Sequence, residues 1–226
     1  MKGNIITFDG GEKEYRGYLS PSVHGSGPGV IVIQEWWGLV DHIKDVCDRF
    51  GAAGFTALAP DLYFGEETTE PTRAGELMMA LSIAETDKIL SNAVDKLLSL
   101  PGTSSAKAGI VGFCMGGQLA VFHACHNPLI AACVNFYGVH PNVQPSYRQM
   151  EGELIGIFAE HDEYSSPGVV AALDAELSLL EKPHCFYSYP GTHHAFFNDT
   201  RPEVYDAEAA KDAWEKTVSF LRETVV

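Results

Sequence analysis

Apolar and polar positions follow two different patterns along this chain. Near its start, "NIITF" and "YRGYLS" alternate residue by residue on either side of Asp9-Gly10-Gly11, which predicts two antiparallel strands joined by a turn. Farther on, short runs such as "GVIVI" contain only apolar residues, as do strands that are buried on both faces of a sheet. Helical periodicity follows in "DHIKDVCDRFGAAG", where Asp41 is the predicted N-cap.

Predicted strands and helices then succeed one another to the end of the chain. The further strands are "FTALAP", "AGIVG", "AACVNFYG", "ELIGIFAEHD" and "HCFYSYP". Residues 61–74 are a predicted loop, and residues 75–100 carry helical periodicity in two pieces. This alternation predicts an α/β protein with a mostly parallel central sheet, helices on both faces and short antiparallel N-terminal strands. Because no linker interrupts it, we predict a single domain over residues 1–226.

Composition and charge narrow the classes of partner. The chain has 30 Asp and Glu against 15 Lys and Arg, a net charge of −15, which disfavours nucleic acid but leaves a small anionic substrate open. No apolar run has the length of a membrane span or of a signal peptide.

The five cysteines are widely spaced without a C-x-x-C pair, which argues against a disulfide framework or a thiolate metal cluster. We therefore expect a cytoplasmic monomer or weak homo-oligomer that contacts no membrane. The cysteines are Cys47, Cys114, Cys125, Cys133 and Cys185.

The segment Gly112-Phe113-Cys114-Met115-Gly116 joins a predicted strand to a predicted helix. It matches the G-x-S-x-G nucleophile elbow of α/β hydrolases, with cysteine in place of serine. Glycines flank such a nucleophile because the strained turn leaves no room for their Cβ atoms. The helix N-terminus favours a thiolate, so Cys114 is a predicted nucleophile. The backbone N–H groups of Met115 and of Trp36, in the loop after "VIVIQE", are the predicted oxyanion donors.

Reactive side chains stand at four predicted strand ends, where open parallel sheets gather their sites. Glu35 follows "GVIVI", Cys114 ends "AGIVGFC" and Asp162 ends "LIGIFAEHD". His194 lies in the loop after "HCFYSYP". The last three occur in the order nucleophile, acid, histidine, which is the chain order of the α/β-hydrolase triad. The histidine would take the thiol proton and later deprotonate water, while the carboxylate would hold the imidazole in the required tautomer.

Other interpretations of these side chains stay open at this point. The four remaining cysteines fit small apolar core residues, and Asp162 alone could cap a turn. His161, His193 and His194 could suggest a metal site, but none of them has a partner at the i, i+4 spacing of a helical zinc site. We therefore expect neither a metal nor another cofactor.

The motifs as a set resemble the dienelactone hydrolase (carboxymethylenebutenolidase) family over nearly the whole chain. The resemblance rests on "IVIQEWWG", "APDLY", "GFCMGG", "NFYG", "FAEHDEYSSP" and "YPGTHHAFFND". It implies an α/β-hydrolase fold and a triad of Cys114, Asp162 and His194, with His193 as the second candidate for the histidine. It also implies that Glu35 holds the thiol at rest and accepts its proton when substrate enters.

One position departs from the family pattern. Members bind the substrate carboxylate with arginines, one of them four residues after the catalytic histidine, where this chain has Asn198. Arg73, in the predicted loop before the middle helices, and Arg201 are the replacement candidates. Trp36 and Trp37 could either pack in the core or line the pocket. The candidate substrate-binding residues are Trp37, Tyr137, Arg73, Phe196 and Asn198.

These features predict a hydrolase that cleaves a lactone or small ester, with a dienelactone-type substrate implied by the resemblance. The predicted chemistry is covalent Cys-His-Asp catalysis through an acyl-thioester, with the small molecule as the partner. Alternatives are a general carboxylesterase or thioesterase on the same triad, a non-catalytic ligand-binding or thiol-sensing protein, and a metal hydrolase.

Overall fold

A computed structural model describes residues 2–11, 13–138 and 140–226 of the chain. The strands are β1 (Asn4–Asp9), β2 (Glu14–Ser20), β3 (Gly29–Ile33), β4 (Thr56–Pro60), β5 (Ala108–Phe113), β6 (Ile130–Phe136), β7 (Glu153–His161) and β8 (His184–His193). The helices are α1 (Asp41–Ala52), α2 (Pro71–Ala80), α3 (Ile83–Ser99), α4 (Met115–His126), α5 (Pro167–Leu179) and α6 (Ala207–Thr224). A short 3₁₀ helix covers Tyr147–Gln149.

The eight strands form one sheet in the order β1-β2-β4-β3-β5-β6-β7-β8. β1 pairs antiparallel with β2, and β2 pairs antiparallel with β4. The remaining neighbours are parallel. This architecture confirms the predicted mostly parallel sheet with antiparallel N-terminal strands. The chain leaves β3 toward β4 on one side and returns to β5 on the other, so a crevice opens at the carboxyl ends of β3 and β5.

Helices cover the sheet on both faces, and each face has its own core. On one face, α1 and α6 bury residues such as Phe50 and Leu221 against Val32, Val111 and their neighbours. On the other, α3 and α4 bury residues such as Leu97 and Leu119. Every residue of β3 and β5 is buried, as their uniformly apolar sequences predict.

Two local predictions are wrong by a few residues. Val40, not Asp41, is the N-cap of α1, and it forms no side-chain cap bond; Asp41 is the first helical residue, where its carboxylate faces the positive end of the helix dipole. The predicted loop to residue 74 ends earlier, because Pro71 begins α2. Arg73 therefore lies in a helix. Two helical pieces do follow, and Ser82 caps the second by accepting a hydrogen bond from the Glu85 N–H.

Across the described part of the chain, each helix is too short or too polar to span a bilayer.

Candidate active site

Cys114 lies in the tight turn between β5 and α4. Its backbone has φ 54° and ψ −123°, a conformation that costs a non-glycine residue on the order of 1–3 kcal/mol. The Cys114 N–H donates to the carbonyl oxygen of Phe136 at 3.0 Å, which joins the turn to the end of β6. The side chain is partly exposed and lines a cavity. The turn thus holds the thiol at the carboxyl edge of the sheet, beside the N-terminus of α4.

The two glycines around Cys114 are required by close backbone approaches. A Cβ atom on Gly112 would overlap the backbone carbonyl of Gly116. A Cβ atom on Gly116 would lie 2.7 Å from the carbonyl oxygen of Ile33, well inside van der Waals contact. Without side chains at these positions, α4 can pack directly on β3 and β5. This confirms the steric explanation of the glycine spacing.

Asp162 lies just after β7 and is held by four donors. Its Oδ1 accepts from the backbone N–H groups of Tyr164 at 2.8 Å and Ser165 at 3.1 Å. Its Oδ2 accepts from the Ser165 hydroxyl and from His194 Nδ1, both at 2.7 Å. Burial raises the pKa of Asp162, but the hydrogen bonds from His194, Ser165 and Tyr164 outweigh it and hold that pKa below its ordinary 3.8. The carboxylate therefore both caps a turn and orients the imidazole.

His194 is held by Asp162. Its Nδ1 lies 2.7 Å from Asp162 Oδ2, and both His194 and Cys114 line the cavity. Burial lowers the pKa of His194, but the hydrogen bonds to Asp162 and Cys114 and their negative charges raise it from 6.5 to about 10. The imidazole is therefore a ready acceptor for the thiol proton and is stable in its protonated form. His193, the second candidate, is exposed and packs on the ring of His161 at 5.3 Å between centroids.

Glu35 lies two residues after β3 and is almost fully buried, with 1 % of its surface exposed. Its Oε2 accepts a hydrogen bond from Asn198 Nδ2 at 2.7 Å. Asn198 is itself fixed, because its Oδ1 accepts from the Thr200 N–H at 3.1 Å and from the Thr200 hydroxyl at 2.6 Å. Asn198, a predicted substrate contact, thus lies buried behind Glu35 and positions it.

A cavity of about 800 Å³ opens over these residues. Trp36 and Trp37 both line it, with ring centroids 4.8 Å apart in an edge-on arrangement. Arg201 also lines it, and its guanidinium stacks 5.8 Å from the Trp37 ring. The cavity wall contains further residues that the sequence patterns did not single out, because they are brought in by loops and helix ends: Met78, Gln118, His140, Pro141, Glu163, Tyr164, Val169 and Val204.

Comparison with known proteins identifies the family of this chain. The model of the dienelactone hydrolase family matches residues 15–225. The chain belongs to this family. It is 37% identical to "Protein usf" of Aquifex pyrophilus, over 98% of both chains. It is 33% identical to a "Putative carboxymethylenebutenolidase" of Aquifex aeolicus, over 97% of this chain and 98% of the other. A solved dienelactone hydrolase-like structure from Klebsiella pneumoniae superposes with a TM-score of 0.89 at 26% identity, over 98% of each chain.

The protein is thus a dienelactone hydrolase-like hydrolase, and its arginines differ from the family pattern. Asn198 occupies the position where the resemblance expects an arginine. Arg73, a predicted replacement, lies outside the cavity lining and forms ion pairs with Glu66 at 2.6 Å and Glu76 at 2.8 Å. Of the candidate arginines, the structure brings only Arg201 to the cavity.

Two predicted substrate contacts support the site from behind instead of facing the cavity. Tyr137 is fully buried, with φ 41°, and its ring centroid lies 5.0 Å from that of His194. Phe196 is also fully buried, and its ring centroid is 5.8 Å from that of Tyr137. Among the described residues, the Tyr137 hydroxyl has no hydrogen-bond partner. Tyr137 therefore packs against the ring of His194, and Phe196 packs against Tyr137.

The two predicted oxyanion donors adjoin residues of the candidate site in the chain. Met115 is the first residue of α4, so its N–H is one of the helix N-terminal donors without an intrahelical acceptor. Trp36 directly follows Glu35 and lines the cavity.

The other cysteines differ from Cys114. Burial raises the pKa values of Cys47 and Cys133 well above the ordinary 9.0, and that of Cys125 to about 12. These three are small apolar core residues, as predicted. The same prediction is wrong for Cys185, which is exposed on the edge strand β8. Within the described ranges, no three His, Cys, Asp or Glu side chains are arranged to hold a metal ion.

Proposed function

We propose that this hydrolase cleaves a lactone or small carboxylic ester through a covalent thioester on Cys114. The observation that carries this proposal is that Cys114 and His194 line one cavity while His194 Nδ1 is bonded to the buried Asp162 carboxylate at 2.7 Å. The three side chains come from three different strand ends, and each has the partner its role needs. The name of the Aquifex aeolicus relative, which refers to a lactone-cleaving enzyme, agrees with this chemistry.

In the first half-reaction, the Cys114 sulfur attacks the substrate carbonyl carbon, and His194 accepts the thiol proton. The carbonyl oxygen becomes an oxyanion that the N–H groups of Met115 and Trp36 stabilise. The tetrahedral intermediate then loses its C–O bond. His194 donates its proton to the departing alkoxide, which stays attached to the acyl group when the substrate is a lactone.

In the second half-reaction, His194 deprotonates a water molecule that attacks the thioester carbonyl. The C–S bond breaks, the acid is released and Cys114 regains its proton from His194. Asp162 stabilises the imidazolium in both halves, and its low pKa keeps the carboxylate charged at neutral pH.

Glu35 gives the thiol a second proton partner in this proposal. It is buried, lines the same cavity as Cys114, and accepts only a neutral amide donor among the hydrogen bonds described for it. A buried carboxylate without a cationic partner is costly, so its retention is explained by a role in holding or accepting the thiol proton. A thiol that ionises only when substrate is present would be less prone to oxidation.

The deciding experiment removes the nucleophile beside a matched cysteine control. Cys114→Ala should abolish hydrolysis of a panel of lactones and esters, and Cys114→Ser should lower kcat by on the order of 10²-fold or more. Cys185→Ser removes an exposed thiol outside the cavity and should keep full activity. Rapid quenching of the wild type should reveal a peptide containing Cys114 that carries the acyl mass.

Each alternative predicts a different result. A non-catalytic or thiol-sensing protein would be alkylated at Cys114 by iodoacetamide without losing any hydrolysis. A metal hydrolase would lose activity with EDTA and keep it in Cys114→Ala. A general esterase or thioesterase on the same triad would cleave simple esters but no lactone in the panel. Hydrolysis that survives Cys114→Ala would refute the proposed mechanism.

A further inference from the structure

The charges around the cavity bear on which acyl groups it can accept. Two carboxylates, Glu35 and Glu163, line it. Glu35 accepts from the neutral Asn198 amide, at the position where the family pattern has a guanidinium. Burial lowers the pKa of His140, another lining residue, so this imidazole is neutral at pH 7. His194 is paired with Asp162, whose carboxylate oxygen lies 2.7 Å from Nδ1.

Arg201 is the only Lys or Arg side chain among the described lining residues, and it is already paired. Its Nε and one terminal nitrogen both lie 2.9 Å from the same oxygen of Glu203. Its guanidinium carbon also lies over the Trp37 ring, 5.8 Å from the centroid. A substrate carboxylate that approached this arginine would share the guanidinium with the carboxylate of Glu203.

The walls themselves are aromatic and aliphatic. The lining includes the side chains of Trp36, Trp37, Met78, Pro141 and Val169. Transfer of a carboxylate from water to such walls without a free cation is strongly unfavourable, whereas transfer of a methylene group is favourable by about 0.8 kcal/mol.

We propose that the cavity accepts uncharged esters and lactones with an apolar acyl group and discriminates against substrates that carry a carboxylate. This inference rests on the proposed function, because it describes the substrate of the same Cys114 site. It departs from the anionic dienelactone that the family resemblance implies. The described lining, in which Arg201 is the single Lys or Arg and is paired with Glu203, is the feature that distinguishes the two substrate classes.

The test uses two esters that differ in one charge: p-nitrophenyl hemiglutarate and its methyl ester. They share the acyl chain and the leaving group, and each rate is corrected for spontaneous hydrolysis, which the free carboxylate can accelerate. Assays run at pH 8, where ordinary imidazoles are neutral. We expect kcat/KM for the methyl ester to exceed that of the hemiglutarate by about 10- to 100-fold. Equal values, or a preference for the hemiglutarate, would overturn the inference.

Two variants locate the cause of the preference. Glu203→Gln removes the partner of Arg201 at an exposed position outside the cavity. At low ionic strength it should shift the ratio toward the hemiglutarate by about threefold or more, because the guanidinium is freed. An unchanged ratio would refute the charge argument. Arg201→Gln should leave the wild-type preference for the methyl ester in place; a selective loss of hemiglutarate turnover would instead make Arg201 an anion site and overturn the inference.

The inference and the proposed function fail in different ways. If Cys114→Ala hydrolyses the methyl ester as fast as the wild type, the proposed function is wrong. If hydrolysis of both esters requires Cys114 but the hemiglutarate is favoured, only the substrate class is wrong.

Discussion

Replacement of Asp162 by asparagine tests the central contact of the candidate site. In the wild type, one carboxylate oxygen accepts two backbone N–H bonds and the other accepts from Ser165 and His194. In Asp162→Asn, the amide oxygen can keep the backbone bonds, so the amide NH₂ must face His194 Nδ1. Two donors then meet unless the imidazole moves its proton to Nε2, the nitrogen that must accept the thiol proton.

The expected loss of activity in Asp162→Asn is large because the pKa of His194 depends on its hydrogen bond to Asp162. A shift from 6.5 to about 10 corresponds to at most about 5 kcal/mol in favour of the imidazolium, at roughly 1.4 kcal/mol per pKa unit. Loss of part of this stabilisation and the wrong tautomer should together lower kcat by on the order of 10³-fold.

The same contacts give the free energy of unfolding a defined pH dependence. The folded pKa of His194 is raised, so its contribution is fully present below pH 6.5 and is lost as pH rises from 6.5 through about 10. The folded pKa of Asp162 is lowered, so its contribution is present above pH 3.8 and is lost as pH falls through its folded value. In Asp162→Asn, the free energy of unfolding should therefore depend less on pH in both the acidic and the alkaline range.

The assay compares Asp162→Asn with Asp174→Asn, which alters a second Asp–His pair outside the cavity. His184 Nε2 lies 3.2 Å from Asp174 Oδ1 in an exposed contact, and neither residue lines the cavity. Initial rates on a neutral ester and urea unfolding from about pH 2 to about pH 11 are measured for both variants. Asp174→Asn should keep its activity within about twofold. An Asp162→Asn enzyme that retains activity within threefold of the wild type would refute the role given to Asp162.

Three further substitutions test the packing around the site. Gly116→Ala should destabilise the fold by about 2–4 kcal/mol in thermal unfolding, because the new Cβ atom would overlap the Ile33 carbonyl. The control Gly75→Ala adds a Cβ atom in open space on α2 and should be neutral or stabilising by up to about 1 kcal/mol. Tyr137→Phe removes a buried hydroxyl without a described partner, so its melting temperature should stay equal or rise; a fall of several degrees would show that the hydroxyl has a partner. Asn198→Leu leaves the buried Glu35 carboxylate without its amide donor, so the free energy of unfolding should fall by about 1–3 kcal/mol and the pH dependence of Cys114 alkylation should change. An unchanged pH profile of the alkylation rate would contradict a link between Glu35 and the thiol.

The sequence predicted the fold well because its strands have the simplest pattern. β3 and β5 are buried on both faces, so every residue in them is apolar and their ends are sharply marked. The parallel topology then brings their carboxyl ends together, which is why the sequence alone is enough to place Glu35 and Cys114 at one edge of the sheet. The N-cap of α1 was misplaced because Asp41 suits an N-cap and a first-turn position almost equally.

Residues contributed by loops could not be placed in this way. Asn198 lies far along the chain from Glu35, and no periodicity relates the two, so their hydrogen bond depends on how the loop after β8 folds back. Met78 reaches the cavity from the last turn of α2, a helix that buries only Ala74. Ser165 was within reach of a sequence argument, because a serine three residues after an aspartate at a strand end is typical of a turn capped by the carboxylate.

The net charge of the whole chain does not determine the charge inside the cavity. An excess of 15 acidic residues disfavours a polyanionic partner, but it is compatible with a small anionic substrate, because a site can be positive within a negative protein. The charge near the substrate depends on particular contacts. Asn198 stands where the resemblance implies an arginine, Arg73 is paired with two glutamates away from the cavity, and Arg201 is paired with Glu203. None of these pairings follows from composition. Together they leave Arg201, paired with Glu203, as the single guanidinium in the described lining of the cavity, which is the basis for the proposed preference for an uncharged acyl group.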